Sequence, residues 1–462
     1  MPTSLYGPFF RTVLYPVFNR LIGRDLFRAL AERARTESLS AERVRSLQWA
    51  KLQQILRNAA DRVPFYRDRF RELGIDPRDM RGLDDFTRLG LFVAKEDVRA
   101  QTERFIAEGA DRGKLTWHRS GGSTGDPLTF ATDPPTGAAS AAGLFRAVGW
   151  WGVDMGARHA MFWGSPRFIV RKPIDRWKQK TLSVRHYLMN RKFFSNYDLN
   201  PENMRCYREV LERFRPVYVR GMASSLFLFA RFVLSEGLRL DRGRPRIVFS
   251  ACEQLYPWER ETIAEGFGAP VADTYGVSEL GEVAFEAPCG RLHTMDEDVL
   301  IELVPTGDGR KEIVLTQLNN MLSPLIRYRT GDVAEGWEVG CECGRGLGYL
   351  EGLQGRAHDF IVTADGRFVH GQFFTHLLVY EKGIQKYQVI QETVDRFRVL
   401  IEREPGFDVA AEARVRSGAR GYLGDGVAIE FEYPEAIPLT AAGKHRWIIS
   451  KVGRRDVREA SA

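Results

Sequence analysis

The sequence predicts an α/β protein with a large N-terminal domain of helix-covered mixed sheets and a small α+β C-terminal domain. Three observations predict it. Between Thr116 and about Val333, short apolar strand-like runs alternate with helical patterns, which implies a largely parallel, helix-covered sheet. Ahead of this block, residues 24–110 are charged and helical in pattern. Beyond Gly355 the texture changes to closely spaced strand-like runs and one helix pattern. A chain of 462 residues can bury more than one core. The boundary is expected near Gly355-Arg356-Ala357-His358-Asp359, giving domains 1–356 and 357–462, the first with a helical part over 1–110.

The elements follow in order. Leu5 to Ile22 is apolar but broken by Arg11 and Arg20, so it reads as an amphipathic helix packed on the body rather than a signal peptide. Ala41 to Ala60 repeats apolar positions at helical spacing until Val63-Pro64 stops it. Lys114–Arg119 and Leu128–Thr132 read as strands joined by a Gly-rich loop. Then come strands at Val217–Arg220, Ile247–Phe249 and Val271–Thr274, and helices at Ser224–Glu236 and Pro257–Gly266. In the C-terminal part, Phe360–Thr363 and Phe368–His370 form a hairpin around Ala364-Asp365-Gly366. Strands at Tyr387–Gln391 and Phe397–Ile401, a helix at Val409–Arg416 and a strand at Val427–Glu432 complete it.

Composition narrows the class. Apolar residues make up 44% and charged residues 27%, as in ordinary globular proteins. A formal net charge of +7, without a dense basic tract interleaved with aromatics, suits small anions and does not indicate nucleic acid. Five cysteines over this length argue against a secreted disulfide scaffold and for a cytoplasmic protein. No stretch reads as a membrane span.

Four clusters carry chemistry. Ser120-Gly121-Gly122-Ser123-Thr124-Gly125-Asp126-Pro127 packs glycines and hydroxyls into one loop. Such a loop lets backbone N–H groups approach a polyphosphate, but alone it fits a hairpin turn equally well. In Asp273-Thr274-Tyr275-Gly276-Val277-Ser278-Glu279, a tyrosine can stack on a purine and Glu279 can hold Mg²⁺. In Arg327-Tyr328-Arg329-Thr330-Gly331-Asp332, the aspartate can accept hydrogen bonds from a ribose diol. Lys444 follows a flexible glycine in a small separate domain and can be delivered to a remote site. Each alone also fits a bland role: a core tyrosine, a surface ion pair, a solvated lysine.

Cys289-x₃-His293 and Cys341-x-Cys343 supply four zinc-type ligands from two segments. Four soft ligands close a tetrahedral shell, which signals a structural metal. Cys252 ends a strand in Ser250-Ala251-Cys252-Glu253 and has no evident base beside it, so it reads as pocket wall, not nucleophile.

Taken together and in this order, the clusters resemble the adenylate-forming superfamily of acyl-CoA synthetases, in its phenylacetate–CoA ligase-like and CapK-like branch. The loop is similar to that family's phosphate loop, Tyr275 to Glu279 to its Tyr-Gly-x-Ser/Thr-Glu motif, and Tyr328 to Asp332 to its ribose motif. Gly355-Arg356 through Asp359 resembles the hinge, and Gly443-Lys444 the catalytic-lysine motif. Leu47-Gln48-Trp49, Pro64-Phe65-Tyr66 and Asn190 to Phe194 also resemble this branch.

The resemblance implies ATP binding by Ser120 to Gly125, Glu253, Asp273, Tyr275, Gly276, Ser278, Asp332 and Arg356. It implies catalysis by Lys444 and Glu279, with Mg²⁺ on Glu279. Tyr218, Ser250, Ala251, Cys252 and Gly276 would line the acid pocket. The small domain would pivot at Asp359. The implied reaction activates an aryl or small carboxylic acid as its acyl-adenylate and passes the acyl group to coenzyme A. The alternatives are transfer to an amine, sugar or carrier protein, or a catalytically inactive relative acting as a binding subunit. A homodimer is a family-level expectation. The chain departs from the family at two points: Asp126 stands where the loop carries Lys, and His358 where the hinge carries its first Asp.

Overall fold

The computed structural model describes residues 9–17, 25–119, 128–163, 186–195, 199, 201–253, 255, 257–305, 311–353, 360–363, 368–370, 372–378, 381–403, 406–424, 426–437 and 448–452. The N-terminal part is helical. Asp25 and Ser40 cap the helices Leu26–Thr36 and Ala41–Arg62 by accepting from backbone N–H groups three residues on. Val63-Pro64 ends the second of these helices as expected, and Pro64 also opens a further helix, Pro64–Leu73, where its fixed φ suits the first turn and its missing N–H costs nothing. Three buried polar groups clamp these helices to the body. Gln48 Nε2 donates to the Val299 carbonyl at 3.0 Å and Asn58 Nδ2 to that of Met321 at 2.7 Å. The Tyr66 hydroxyl accepts from Ile326 N at 2.9 Å and donates to the Pro324 carbonyl at 3.0 Å.

Strands β1 (Thr116–Arg119) and β2 (Thr129–Thr132) pair antiparallel and flank the Gly-rich loop, with the helix Pro134–Trp150 following directly. Strands β3 (His159–Trp163), β4 (Arg191–Ser195), β5 (Tyr218–Met222), β6 (Ile247–Ala251) and β7 (Val271–Val277) run parallel in the order β4-β3-β5-β6-β7. All five residues of β5 and of β6 are buried, as central strands covered on both faces must be. The helices Ala223–Ser235 and Pro257–Phe267 cover one face through Phe229, Val233, Ile263 and Phe267. Helix Pro134–Trp150 meets the other face through Val148, against Tyr218 and Phe249.

The sheet does not stay parallel. Strand β7 continues three residues beyond the expected end and pairs antiparallel with β8 (Gly281–Glu286), which pairs antiparallel with β9 (Leu292–Thr294). Strands β10 (Val299–Pro305), β11 (Lys311–Gln317) and β12 (Tyr328–Val333) form a separate antiparallel sheet. Strands β13 (Gly336–Val339) and β14 (Gly348–Glu351) close the large sheet, giving nine strands among the described residues. The hydrophobic run that reads as β7 cannot by itself report which partner it takes, because the antiparallel partner arrives by a short local turn.

Downstream, β15 (Phe360–Val362) and β16 (Phe368–His370) form the expected hairpin pair. A four-stranded sheet then joins β17 (Ile384–Gln391), β18 (Arg396–Arg403), β19 (Ala428–Glu432) and β20 (Ile448–Ser450) in the order β19-β18-β17-β20. Helices Gln372–Leu378 and Ala410–Leu423 pack on it through Phe374, Val415 and Ala419, against Val389, Val399 and Ile429. The second helix runs seven residues past the expected Arg416, ending at Leu423 before Gly424, whose φ is +99°.

Candidate active site

The site is built where the parallel strands end. Ser250 on β6 lies opposite Asp273 on β7, and Thr274 Oγ1 donates to the Ser250 carbonyl at 2.6 Å. Asp273 is boxed in: its N–H donates to Glu286 Oε2 at 2.8 Å, and its own Oδ1 accepts from Thr274 N at 2.8 Å. Burial, reinforced by the Glu286 carboxylate, pushes the Asp273 carboxyl up to about 7. Arg260 holds Glu286 by two hydrogen bonds of 3.0 and 2.7 Å.

Between Tyr275 and Gly276 the β7–β8 register shifts. Such a bulge re-aims side chains. Here it accompanies a contact between two sheets: the buried Tyr275 donates from its hydroxyl to Asp332 Oδ2 on β12 at 3.0 Å. A Cβ at Gly276 would crowd the Gly281 carbonyl oxygen at 3.1 Å, tighter than most real Cβ contacts. Asp332 is fixed by its own strand, its N–H donating to Thr330 Oγ1 at 3.0 Å and Thr330 Oγ1 donating to the Ile313 carbonyl at 2.7 Å. Gly331, at φ +76°, donates to Glu312 Oε1 at 3.0 Å. The tyrosine thus anchors the aspartate, while its ring packs in the hydrophobic core.

Glu279 is 3% exposed, and its carboxylate lies 3.8 Å from Lys95 Nζ on the helix Lys95–Ala100. Nothing in the sequence around Lys95 marked it, because the pairing spans two distant segments. Ser278 beside it is exposed. The loop residues Ser120 to Gly125, Asp126, Arg356, His358, Asp359 and Lys444 lie outside the described residues.

The expected acid-pocket residues Tyr218, Ser250, Ala251, Cys252 and Gly276 sit on adjacent strands β5, β6 and β7 or just beyond them, and Glu253 follows Cys252. Cys252 has φ +69°, an unusual conformation for a side-chain-bearing residue. Desolvation, opposed by the Arg220 charge and reinforced by the Glu282 and Glu253 carboxylates, pushes its thiol up to about 12, which disfavours a thiolate. Two further charged residues belong to this region and were not singled out from the sequence. Arg220 on β5 is 7% exposed, pairs with Glu282 on β8, and lies over the Trp163 ring at 5.6 Å. The available signal was a single arginine inside the apolar run Tyr218 to Met222.

The Cys/His set comes together. One ligand atom from each of Cys289, His293, Cys341 and Cys343 falls within 4.8 Å of the others. His293 Nε2 lies 3.5 Å from Cys289 Sγ and 3.4 Å from Cys343 Sγ. Its Nδ1 lies 3.3 Å from the Gly348 carbonyl, which fixes the tautomer that leaves Nε2 as a ligand. Burial, aided by Arg345, lowers the His293 imidazole to about 4 and so keeps it neutral. Burial opposes the Cys343 thiolate, but the Arg345 backbone N–H and side-chain partners outweigh it and hold the thiol below its ordinary range. Two thiols, an imidazole and a third thiol in a knuckle closed by Cys341 N to Arg345 O at 3.1 Å fit a tetrahedral zinc shell.

That centre is wired into the body. Arg345 Nε donates to Glu37 Oε1 at 2.9 Å, and Glu37 also accepts from Trp150 Nε1 at 2.7 Å. Arg146 grips the fully buried Glu297 with hydrogen bonds of 2.7 and 3.0 Å. Burial opposes charge on Glu297, but Arg146 overcomes it and draws the carboxyl down to about 2.

Residues 361–451 match the model of the CapK C-terminal domain. Protein CapK of Staphylococcus aureus is 24% identical over 371 residues, covering 78% of this chain and 79% of that protein. Phenylacetate-coenzyme A ligase of Thermus thermophilus is 25% identical over 411 residues, covering 83% and 88%. In fold, the chain is similar to 2-hydroxyisobutyryl-CoA ligase solved with its acyl-AMP and CoA, with a TM-score of 0.60, 20% identity and 91% of each chain covered. The fold is that of the adenylate-forming ligases. In sequence the chain resembles protein CapK and the phenylacetate-coenzyme A ligases over most of its length.

Among the described residues, no helix is long and apolar enough to cross a membrane.

Proposed function

We propose that the protein is an ATP-dependent, AMP-forming acid–thiol ligase: it activates a carboxylic acid as the acyl-adenylate and then transfers the acyl group to coenzyme A. The observation that carries the reading is the Tyr275–Asp332 hydrogen bond, which joins two ordered motifs from separate sheets beside the buried Glu279. The relatives named phenylacetate-coenzyme A ligase support it, as does a fold neighbour solved with acyl-AMP and CoA.

In this reading Asp332 accepts hydrogen bonds from the ribose hydroxyls while Tyr275 holds its carboxylate in place. Asp273, Gly276, Ser278, Glu253 and Arg356 complete the nucleotide site. Glu279 would hold Mg²⁺, a hard cation suited to a carboxylate and to phosphate oxygens. The loop from Ser120 to Gly125 presents backbone and hydroxyl donors to the β- and γ-phosphates. Lys444 meets the charge that builds on the α-phosphate as the acid attacks and pyrophosphate leaves. Residues 1–356 and 357–462 act as two domains, the second pivoting at Asp359 between the half-reactions. The Cys289, His293, Cys341 and Cys343 centre would hold structural zinc. Its reduced thiols fit a cytoplasmic setting. A homodimer fits the same reading.

ATP–pyrophosphate exchange over a panel of carboxylic acids tests adenylation, and silence across the panel refutes it. AMP release with and without coenzyme A tests the acceptor; release indifferent to coenzyme A turns the second step to another nucleophile.

A further inference from the structure

Arg220 is a charged side chain in the wrong place for stability alone. It interrupts an apolar central strand, and it is more than nine-tenths buried. Moving two ions out of water costs several kcal/mol each, and a well-packed hydrophobic pair of similar volume is often neutral or better. Its location ties the ion pair to the site. By strand alternation Arg220 shares a face with Tyr218, and its register neighbour on β6 is Phe249, two residues before Ala251. Its partner Glu282 lies opposite Gly276. Gly281, next to Glu282, faces Ser140 on the helix Pro134–Trp150, because a Cβ there would lie 3.3 Å from Ser140 Oγ. The Trp163 ring lies 5.6 Å from the guanidinium.

The pair is also incompletely satisfied. Arg220 hydrogen-bonds Glu282 through Nη2, while Nε is buried without a hydrogen-bond partner. A guanidinium offers five fixed donors and a carboxylate only acceptors. A neutral hydroxyl beside them can accept from the one and donate to the other. A second free carboxylate would be repelled by Glu282, and a hydrocarbon would leave the buried donor unmet.

We propose that Arg220, held by Glu282, is the specificity-determining residue of the acid pocket and selects carboxylic acids bearing a hydroxyl remote from the carboxylate being activated. This rests on the adenylation reading above. A site built to hydrogen-bond a substrate hydroxyl rejects the analogue that lacks it far more strongly than an apolar pocket rejects a methylene.

The test compares phenylacetate with its 3- and 4-hydroxy forms, and benzoate with its hydroxy forms, by ATP–pyrophosphate exchange on the full chain. In the wild type, the preferred hydroxy acid is expected to exceed its parent by about tenfold or more in kcat/KM. The double substitution Arg220→Met with Glu282→Leu removes both charges and conserves bulk. It is expected to abolish or reverse that ratio, with circular dichroism confirming the fold. A wild type that takes the parent acids equally well, or a double variant that keeps the wild-type ratio, overturns the inference. If no acid supports exchange, the adenylation reading falls. The inference is then decided by thermal stabilisation with each acid and AMP. Greater stabilisation by hydroxy acids supports it, and equal stabilisation overturns it.

Discussion

Replacing Tyr275 with Phe deletes one oxygen and leaves a buried ring in place, so its effect isolates the hydrogen bond to Asp332. That bond is 3.0 Å long and ends on a carboxylate. Hydrogen bonds to charged groups contribute about 1.5–3 kcal/mol, or roughly a ten- to hundredfold change in an equilibrium constant. If Asp332 receives the ribose hydroxyls, loss of its anchor weakens ATP binding more than it slows the chemical step. Tyr275→Phe is therefore expected to raise the KM for ATP about tenfold or more in pyrophosphate exchange, with a smaller change in kcat. Asp332→Asn is expected to act in the same direction. Urea unfolding run in parallel separates any loss of stability. An unchanged KM for ATP in both variants, whatever the stability, would refute the assignment of Asp332 to the nucleotide.

Other outcomes follow from the same geometry. Lys444→Ala is expected to lose adenylation by orders of magnitude yet still convert a supplied acyl-adenylate, so stopped-flow assay of the two half-reactions should separate; equal losses contradict a two-conformation cycle. Arg146→Met strands the buried Glu297 charge and is expected to cost about 3–5 kcal/mol, read by denaturant unfolding. Because the folded Glu297 carboxyl sits at about 2 against 4.5, its contribution is present above pH 4.5. It is lost as pH falls toward 2, and Arg146→Met should flatten that part of the profile. Removing metal with a chelator, or replacing Cys343 with Ser, is expected to lower the melting temperature and leave substoichiometric zinc in elemental analysis. A wild-type protein purified without zinc, and unmoved by added zinc, would count against the centre.

Local signals carried much of the fold. Ala41 to Arg62, Ala223 to Ser235 and the β5, β6 and β7 strands are legible because apolar periodicity and caps act within one segment. Val63-Pro64 does stop the Ala41–Arg62 helix, with Val63 extended as its C-cap, and Pro64 then opens the next helix, since the same restricted φ serves both roles. The antiparallel half of the large sheet was not legible in the alternation of strands and helices, because β8 and β9 follow β7 by short turns and pair by register. The four metal-type ligands were legible as types and spacings, but their convergence depends on β9 pairing with β14, which sets His293 opposite Tyr349.

The sequence by itself determined the chemical inventory: which residues offer hydroxyls, carboxylates, thiols and amines, and in what order. Tertiary structure alone decided their partners. It set Tyr275 on Asp332 across two sheets, Lys95 against Glu279, and Arg220 against Glu282 in an apolar strand. The physical reason is range. Propensity, capping and periodicity act over a few residues, whereas ion pairs and buried hydrogen bonds form between segments whose meeting depends on how every intervening element packs.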